Sequence, residues 1–334
     1  MDKRSYLFDN IKVILMFSVV IAHFMRVSGF FRTDSLAGFV YIVSFGFIMQ
    51  GFLFVSGYFS KNVDKCRHNA VKSFLLPYVV MMIVMYFVRT AVFGHAHLNL
   101  ICPTMALWYL LVMFVYRFAA RDLVRIPYIL LIALILYFVS GCIPFLSEEL
   151  ALGRLASFLV FFTAGLKADK THIDRIRSLP SPVLWLTLAC LIVFSALDAH
   201  YRLIPVDMMH LKNDYSLYGM GPLEGMLVRL ILLIVAAGWI IVIIGLTPDR
   251  QLPISRIGQY TMTIFLFHIP VRYIIKKVSI PFGGTVAGYL IVLLCALACM
   301  YLFSRPAVKR VYDRVMDSIY DLLALPFRKL RSRS

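Results

Sequence analysis

The sequence predicts an all-α integral membrane protein of about ten transmembrane helices, with both termini in the cytoplasm. Three observations carry this. Hydrophobic residues make up 61% of the 334, with a mean hydropathy of +0.84, more apolar surface than a soluble domain of this length buries. Apolar runs approaching the roughly 20 residues of a spanning helix recur along the chain. Lys and Arg are also asymmetric between successive connections: with the N-terminus inside, 24 of the 34 fall on the cytoplasmic side, as the positive-inside rule requires for an even number of spans.

Charges, Pro and Gly punctuate the runs and place the spans in order. The first, 9–29, carries Lys12 and His23. It is long and charged and lacks a small-residue cleavage site after it, so it reads as a span rather than a signal peptide. The next follow at 39–59, 72–93, 104–119, 126–142 and 154–167, the fourth and sixth being short. The last four lie at 182–198, 227–246, 259–276 and 284–303, the ninth holding His268, Pro270 and Arg272. These make a transmembrane unit over 1–303. The remainder, 304–334, is a basic tail in which Val308, Val311, Tyr312, Val315, Ile319, Leu322 and Leu323 recur at helical spacing. That pattern predicts an amphipathic helix on the inner leaflet, its basic end on anionic headgroups.

No sequence repeat, low-complexity tract or inserted soluble domain interrupts the spans. The net charge of +17 therefore lies along a membrane surface, where it attracts anionic lipid and polyanionic ligands; nucleic acid is not an expected partner. The six cysteines contain no CxxC pair. The long connection 198–226 is rich in Tyr and Asp, which suits sugar contacts and a solvated interfacial loop equally. His200 and His210 within it lack a companion spacing for a metal, and no metal is expected.

Lys12 and His23 are the most informative residues. Ionisable side chains within a span are costly and point to function. Eleven residues bring them to about the same helix face, roughly 16 Å apart. One face thus offers a cation near the inner surface and a titratable imidazole deep within. That layout suits a ligand whose charged head stays outside while its reactive end reaches in. Asp9 is about 21 Å from His23 along the helix and is not its carboxylate partner.

Five segments resemble one known family. Arg4-Ser-Tyr-Leu-Phe-Asp9 leading to Lys12 and then His23 looks like an Arg/Lys-x10-His signature on the first helix. Phe54-Val-Ser56-Gly57 resembles its Ser-Gly motif, and Arg67 through Lys72 to Pro77-Tyr78 its basic loop and Pro. Leu107-Trp108-Tyr109-Leu110 is similar to its Leu-Trp-Phe-Leu element, and Ile257-Gly258 through His268 to its Gly…His pattern. In this order they resemble the acyltransferase-3 membrane acyltransferases, in particular the fucose 4-O-acetylase-like branch.

The resemblance implies transfer of an acyl group, usually acetyl, from cytoplasmic coenzyme A to a glycan or lipid-linked sugar at the outer face. Acetyl-CoA would then be a co-substrate, with no permanently bound cofactor. His23 would be the general base, near neutral pH the side chain suited to this, and an acyl-histidine intermediate stays open. His268 would polarise the thioester, orient the acceptor or brace His23. Arg4, Lys12, Arg67, Lys72 and Arg117 would clamp the donor phosphates, because the sequence has no glycine-rich phosphate loop. Ser56, Trp108 and Arg272 would belong to the pocket, Ser56-Gly57 as a close helix contact and Trp108 as a wall. Two other readings remain: a transporter or flippase of glycan intermediates, and a non-catalytic partner of a polysaccharide synthase.

Overall fold

Helix α1 (Leu7–Arg26) runs through the middle of the protein, with Leu15, Val20, Ala22 and Phe24 fully buried. In the computed structural model, which describes residues 5–146 and 149–331, its first turn is held by a distant side chain. Asp249 accepts from the amides of Tyr6 at 2.7 Å and Leu7 at 2.9 Å, satisfying donors that a helix start leaves unpaired. Asn10 adds bonds to the carbonyls of Pro248 and Arg250.

The described residues form helices and connections, with no strand among them. Helices stand at all ten positions expected from the sequence. Seven helical stretches among the described residues are long and apolar enough to cross a membrane. The other three positions hold α6 (Trp108–Leu123), α7 (Ile129–Val139) and α12 (Thr261–Val278). The first two are short, and the third is diluted by its charged and polar residues.

The second span is broken where the sequence reads as continuous. It consists of α2 (Leu36–Phe45) and α3 (Ile48–Tyr58), separated at Gly46-Phe47. Gln50 Nε2 lies 3.4 Å from the Phe45 carbonyl at the break, partnering a group that the interrupted ladder leaves weakly held. The third span joins α4 (Val63–Ala70) to α5 (Leu76–Phe93) through a π-turn at Val71–Leu75.

Helix α8 (Leu152–Lys167) packs most closely on α3. A Cβ built on Gly57 would stand 2.1 Å from the Phe162 carbonyl oxygen, and one on Gly165 would stand 2.0 Å from that of Phe54. Only glycine permits this approach, the small-residue contact expected at Ser56-Gly57. Helices α9 (Lys170–Arg177) and α10 (Ser181–Tyr201) lead to α11 (Pro222–Leu246). These last two and α13 (Val286–Phe303) present Leu186, Leu197, Leu230, Ile234, Leu294 and Leu297 outward. Apolar outer faces suit hydrocarbon rather than water.

Helix α14 (Pro306–Arg331) occupies the predicted amphipathic segment. It is tied back by Lys72 Nζ to Asp317 at 2.8 Å and stiffened by Lys309 to Asp313 at 2.5 Å.

Candidate active site

His23 on α1 and His268 on α12 meet in the interior. His23 Nδ1 lies 2.9 Å from His268 Nε2, and the rings are parallel to within 1°. His268 is fully buried, and its Nδ1 stands 3.2 Å from the Ile264 carbonyl oxygen. A carbonyl only accepts, so His268 carries its proton on Nδ1 and has a lone pair on Nε2. His23 must then donate from Nδ1, which leaves its own Nε2 unprotonated. The network thus assigns both tautomers. It also orients a base whose charged form would keep a partner on Nδ1, the logic of a catalytic dyad. Pro270 has no amide proton to offer the Leu266 carbonyl, and α12 continues through it.

A string of four recesses passes this pair. The largest, about 520 Å³, lies at the N-terminal end of α1 beside Asp9, Lys12, Lys170, Asp174 and Arg177. Lys12 also borders the next, about 160 Å³, whose walls are Met16, Met49, Phe52, Val55, Phe74 and Phe265 with Ser56 and Tyr109. Met49 leads into a small chamber of about 30 Å³ lined by His23, Gln50 and Trp108. His23 and Trp108 in turn border a far cavity of about 240 Å³ with Arg26, Tyr41, Arg154, His210, Lys212 and Arg272. His23 therefore stands between an apolar passage and a basic chamber.

Several residues chosen from sequence come together here. Lys12 marks the passage entrance, bonded to Asp9 at 2.9 Å. Ser56 bonds to Tyr109 at 3.1 Å in the passage wall. Trp108 stacks on Phe158 with centroids 5.2 Å apart, and Arg272 joins the far cavity. Arg117 donates to Ser60 at 3.2 Å and lies over the ring of Phe74, which lines the passage.

Neither Arg67 nor Lys72 lines these four recesses. Arg67 bonds Asp122 at 2.5 Å and the Phe118 carbonyl at 3.0 Å, while Lys72 is engaged by Asp317. Arg4 lies outside the described residues. Lys170 and Arg177 line the recess at the entrance with Lys12. Arg177 also donates to the carbonyls of Ile244 at 3.1 Å and Thr247 at 2.8 Å.

The far cavity also holds groups that sequence reasoning did not assign to the site. The connection 202–221 folds inward through two short 3₁₀ turns. It brings His210 Nε2 within 2.7 Å of the Tyr41 hydroxyl. Burial, reinforced by Arg154, Lys212 and Arg26, pushes the His210 imidazole down to about 3, so it is neutral near pH 7. Gln50 Oε1 is buried without a hydrogen-bond partner beside His23. Arg26, three residues after His23 on the same helix, carried the one signal that spacing offered. His210 stood out only as part of a polar loop, and Arg154 and Lys212 carried no signal.

Arg229 is a further buried cation outside this string. It donates to the Tyr137 carbonyl, to Ser140 Oγ at 2.7 Å and to Ser157 Oγ at 3.2 Å. Those bonds make it a strut between α7, α8 and α11. Among the described residues, no three His, Cys, Asp or Glu side chains gather as a metal-binding group.

No curated protein and no solved structure matches the chain significantly. The family model described as an acyltransferase domain, acyltransferase-3, matches residues 6–305. That match takes in α1 to α13 and both histidines, so this multi-pass membrane protein belongs to the acyltransferase-3 family.

Proposed function

We propose that the protein is a membrane O-acyltransferase that moves an acyl group, acetyl first among candidates, from cytoplasmic acyl-CoA to a hydroxyl of a glycan or lipid-linked sugar. The observation that carries this reading is the string of recesses with the His23–His268 pair at its junction. The donor nucleotide sits at the entrance, near Lys12, Lys170 and Arg177. Its uncharged pantetheine arm follows the apolar passage to His23. The acceptor enters from the far cavity on the opposite side.

In the reaction, His23 Nε2 takes the proton of the acceptor hydroxyl as that oxygen attacks the thioester carbon. His23 then holds both ring protons, its Nδ1–H still donating a hydrogen bond to His268 Nε2. The C–S bond breaks, the thiolate takes the Nε2 proton, and free coenzyme A and the ester depart. Gln50 adds a hydrogen-bonding group beside the reacting atoms. The orientation with both termini cytoplasmic rests on the Lys and Arg asymmetry. The fucose 4-O-acetylase-like motifs favour a sugar hydroxyl as acceptor.

The deciding experiment gives purified protein radiolabelled acetyl-CoA and a panel of glycans. Label in the glycan as an alkali-labile ester is expected. Glycan carried across a sealed vesicle membrane with no label incorporated would establish the transporter reading instead.

A further inference from the structure

The far cavity concentrates positive charge on one spot. Arg26 from α1, Arg154 from the first turn of α8, Lys212 from the inward-folded connection and Arg272 from α12 all line it. These are four of the ten Lys and Arg that the charge asymmetry assigns away from the cytoplasmic side. Among the described residues, no Asp or Glu lines the cavity.

Two of the four cations lack an acidic partner among the described residues. Arg26 lies over the rings of Phe31 at 4.4 Å and Tyr41 at 5.7 Å. Arg272 lies 5.6 Å from the Tyr273 ring, and its Nε is buried without a hydrogen-bond partner. Cations gathered at membrane depth repel each other and lose hydration, an arrangement that persists where it meets a compensating charge. His210, neutral in the same wall, adds a hydrogen-bonding surface rather than another charge.

Building on the acyltransferase reading, we propose that the acceptor held in this cavity is an anion, with a carboxylate or phosphate against Arg26 and Arg272 while its hydroxyl lies at His23. Arg26 is one helical turn from His23, roughly 4.5 Å along the axis, so the anionic group belongs to the acylated unit or its immediate neighbour. A planar guanidinium fork matches both carboxylate and phosphate. The two sources of such a group are an acidic sugar and the phosphate of a lipid carrier. A neutral sugar would leave Arg26 and Arg272 against aromatic rings alone.

The test measures binding to full-length protein in nanodiscs, read by the fluorescence of Trp108 in the cavity wall, with Trp108→Phe identifying the signal. The probes are glucuronic acid, glucose 1-phosphate and glucose. One or both anions should bind at least about tenfold more tightly than glucose, as a charge-assisted contact implies. The tighter of the two identifies the source of the charge. Arg26→Gln and Arg272→Gln should each lose most of that preference, while Arg26→Lys and Arg272→Lys keep part of it.

Equal binding of glucose by the parent protein would overturn the proposal, and that measurement needs no variant to fold. An anion preference that survives both Gln variants would overturn it too. So would an equal loss of acetyl-CoA affinity in the same variants, which would give the cavity to the donor. The enzymatic reading fails separately, if anions bind as expected but label from acetyl-CoA reaches no acceptor.

Discussion

His268 accepts a hydrogen bond from His23 at 2.9 Å while its second ring nitrogen is held by the Ile264 carbonyl. Proton and lone pair therefore follow one order, from a backbone oxygen through two imidazoles to the open Nε2 of His23. Truncating either ring has a different consequence. His23→Ala should lower kcat by about 10²–10⁴, the usual worth of positioned proton transfer, with donor affinity retained. His268→Ala leaves the base present but unoriented and should cost less, about 10–100-fold, matching the roughly 1–3 kcal/mol of one unmade buried bond. Steady-state kinetics of the two variants would check the order; equal losses would make the pair a single functional unit, and unchanged rates would return both rings to packing.

Lys12 touches the entrance and the passage but not the chamber that holds His23. Lys12→Ala should raise KM for acetyl-CoA with little change in kcat. The lost charge-assisted contact is worth about 1.5–3 kcal/mol. Donor titrations at low and high salt would show a shallower salt dependence in the variant than in the parent. A variant that lost kcat as heavily as His23→Ala would place Lys12 in the reaction itself.

His210 gives the inward connection a pH dependence whose sign follows from burial. Its folded value near 3 lies below the ordinary 6.5, so the unfolded chain binds more protons between those limits. The stability of this docking is therefore full above about pH 6.5 and is lost progressively as pH falls toward 3. Thermal unfolding in detergent should show Tm dropping across that window, with a shallower drop in His210→Gln. An identical slope in both proteins would remove His210 from the account.

The contact between α3 and α8 is set by backbone against backbone. Gly165→Ala places a methyl against the Phe54 carbonyl, and Gly57→Ala does the same against Phe162. Each should destabilise the fold by about 1–3 kcal/mol, the usual cost of overpacking. Because Ser56 and Phe54 flank the contact, spreading the helices should also loosen the passage wall. Unfolding temperatures of the two variants test the steric claim, and unchanged values would refute it.

What was legible in the sequence follows the range of the forces involved. Hydropathy is a property of a contiguous segment, so helix positions could be read directly, as could the amphipathic helix after Pro306. Lys12, His23 and His268 stood out because an ionisable group in an apolar run is costly to keep at membrane depth without a use. Arg67 and Lys72 looked equivalent to Lys12 by charge and depth. Their carboxylate partners, Asp122 and Asp317, lie far away in sequence and could not be read from charge and depth. The basic chamber had no local signature as a cluster. It is assembled from α1, α8, α12 and a connection that suits a solvated polar loop until His210 is seen against Tyr41. The break at Gly46 was hidden for a related reason. Glycine in a span is ordinary, and the interruption shows only in the backbone, where α2 ends at Phe45 and α3 begins at Ile48.

Because Lys12 and His23 ride on one unbroken helix, α1 acts as a ruler whose graduations are helical turns. Sliding the histidine by a single residue would swing it about 100° and point it away from the passage. Only steps of three or four residues keep its direction, and each lengthens or shortens the reach by roughly 5 Å. The span between anchor and reacting atom is thus quantised. If acyl-CoA is the donor, as proposed, one with a shorter arm could not be accommodated by gradual drift in the sequence. It would need a whole turn inserted or removed, with the surrounding helices shifting in register.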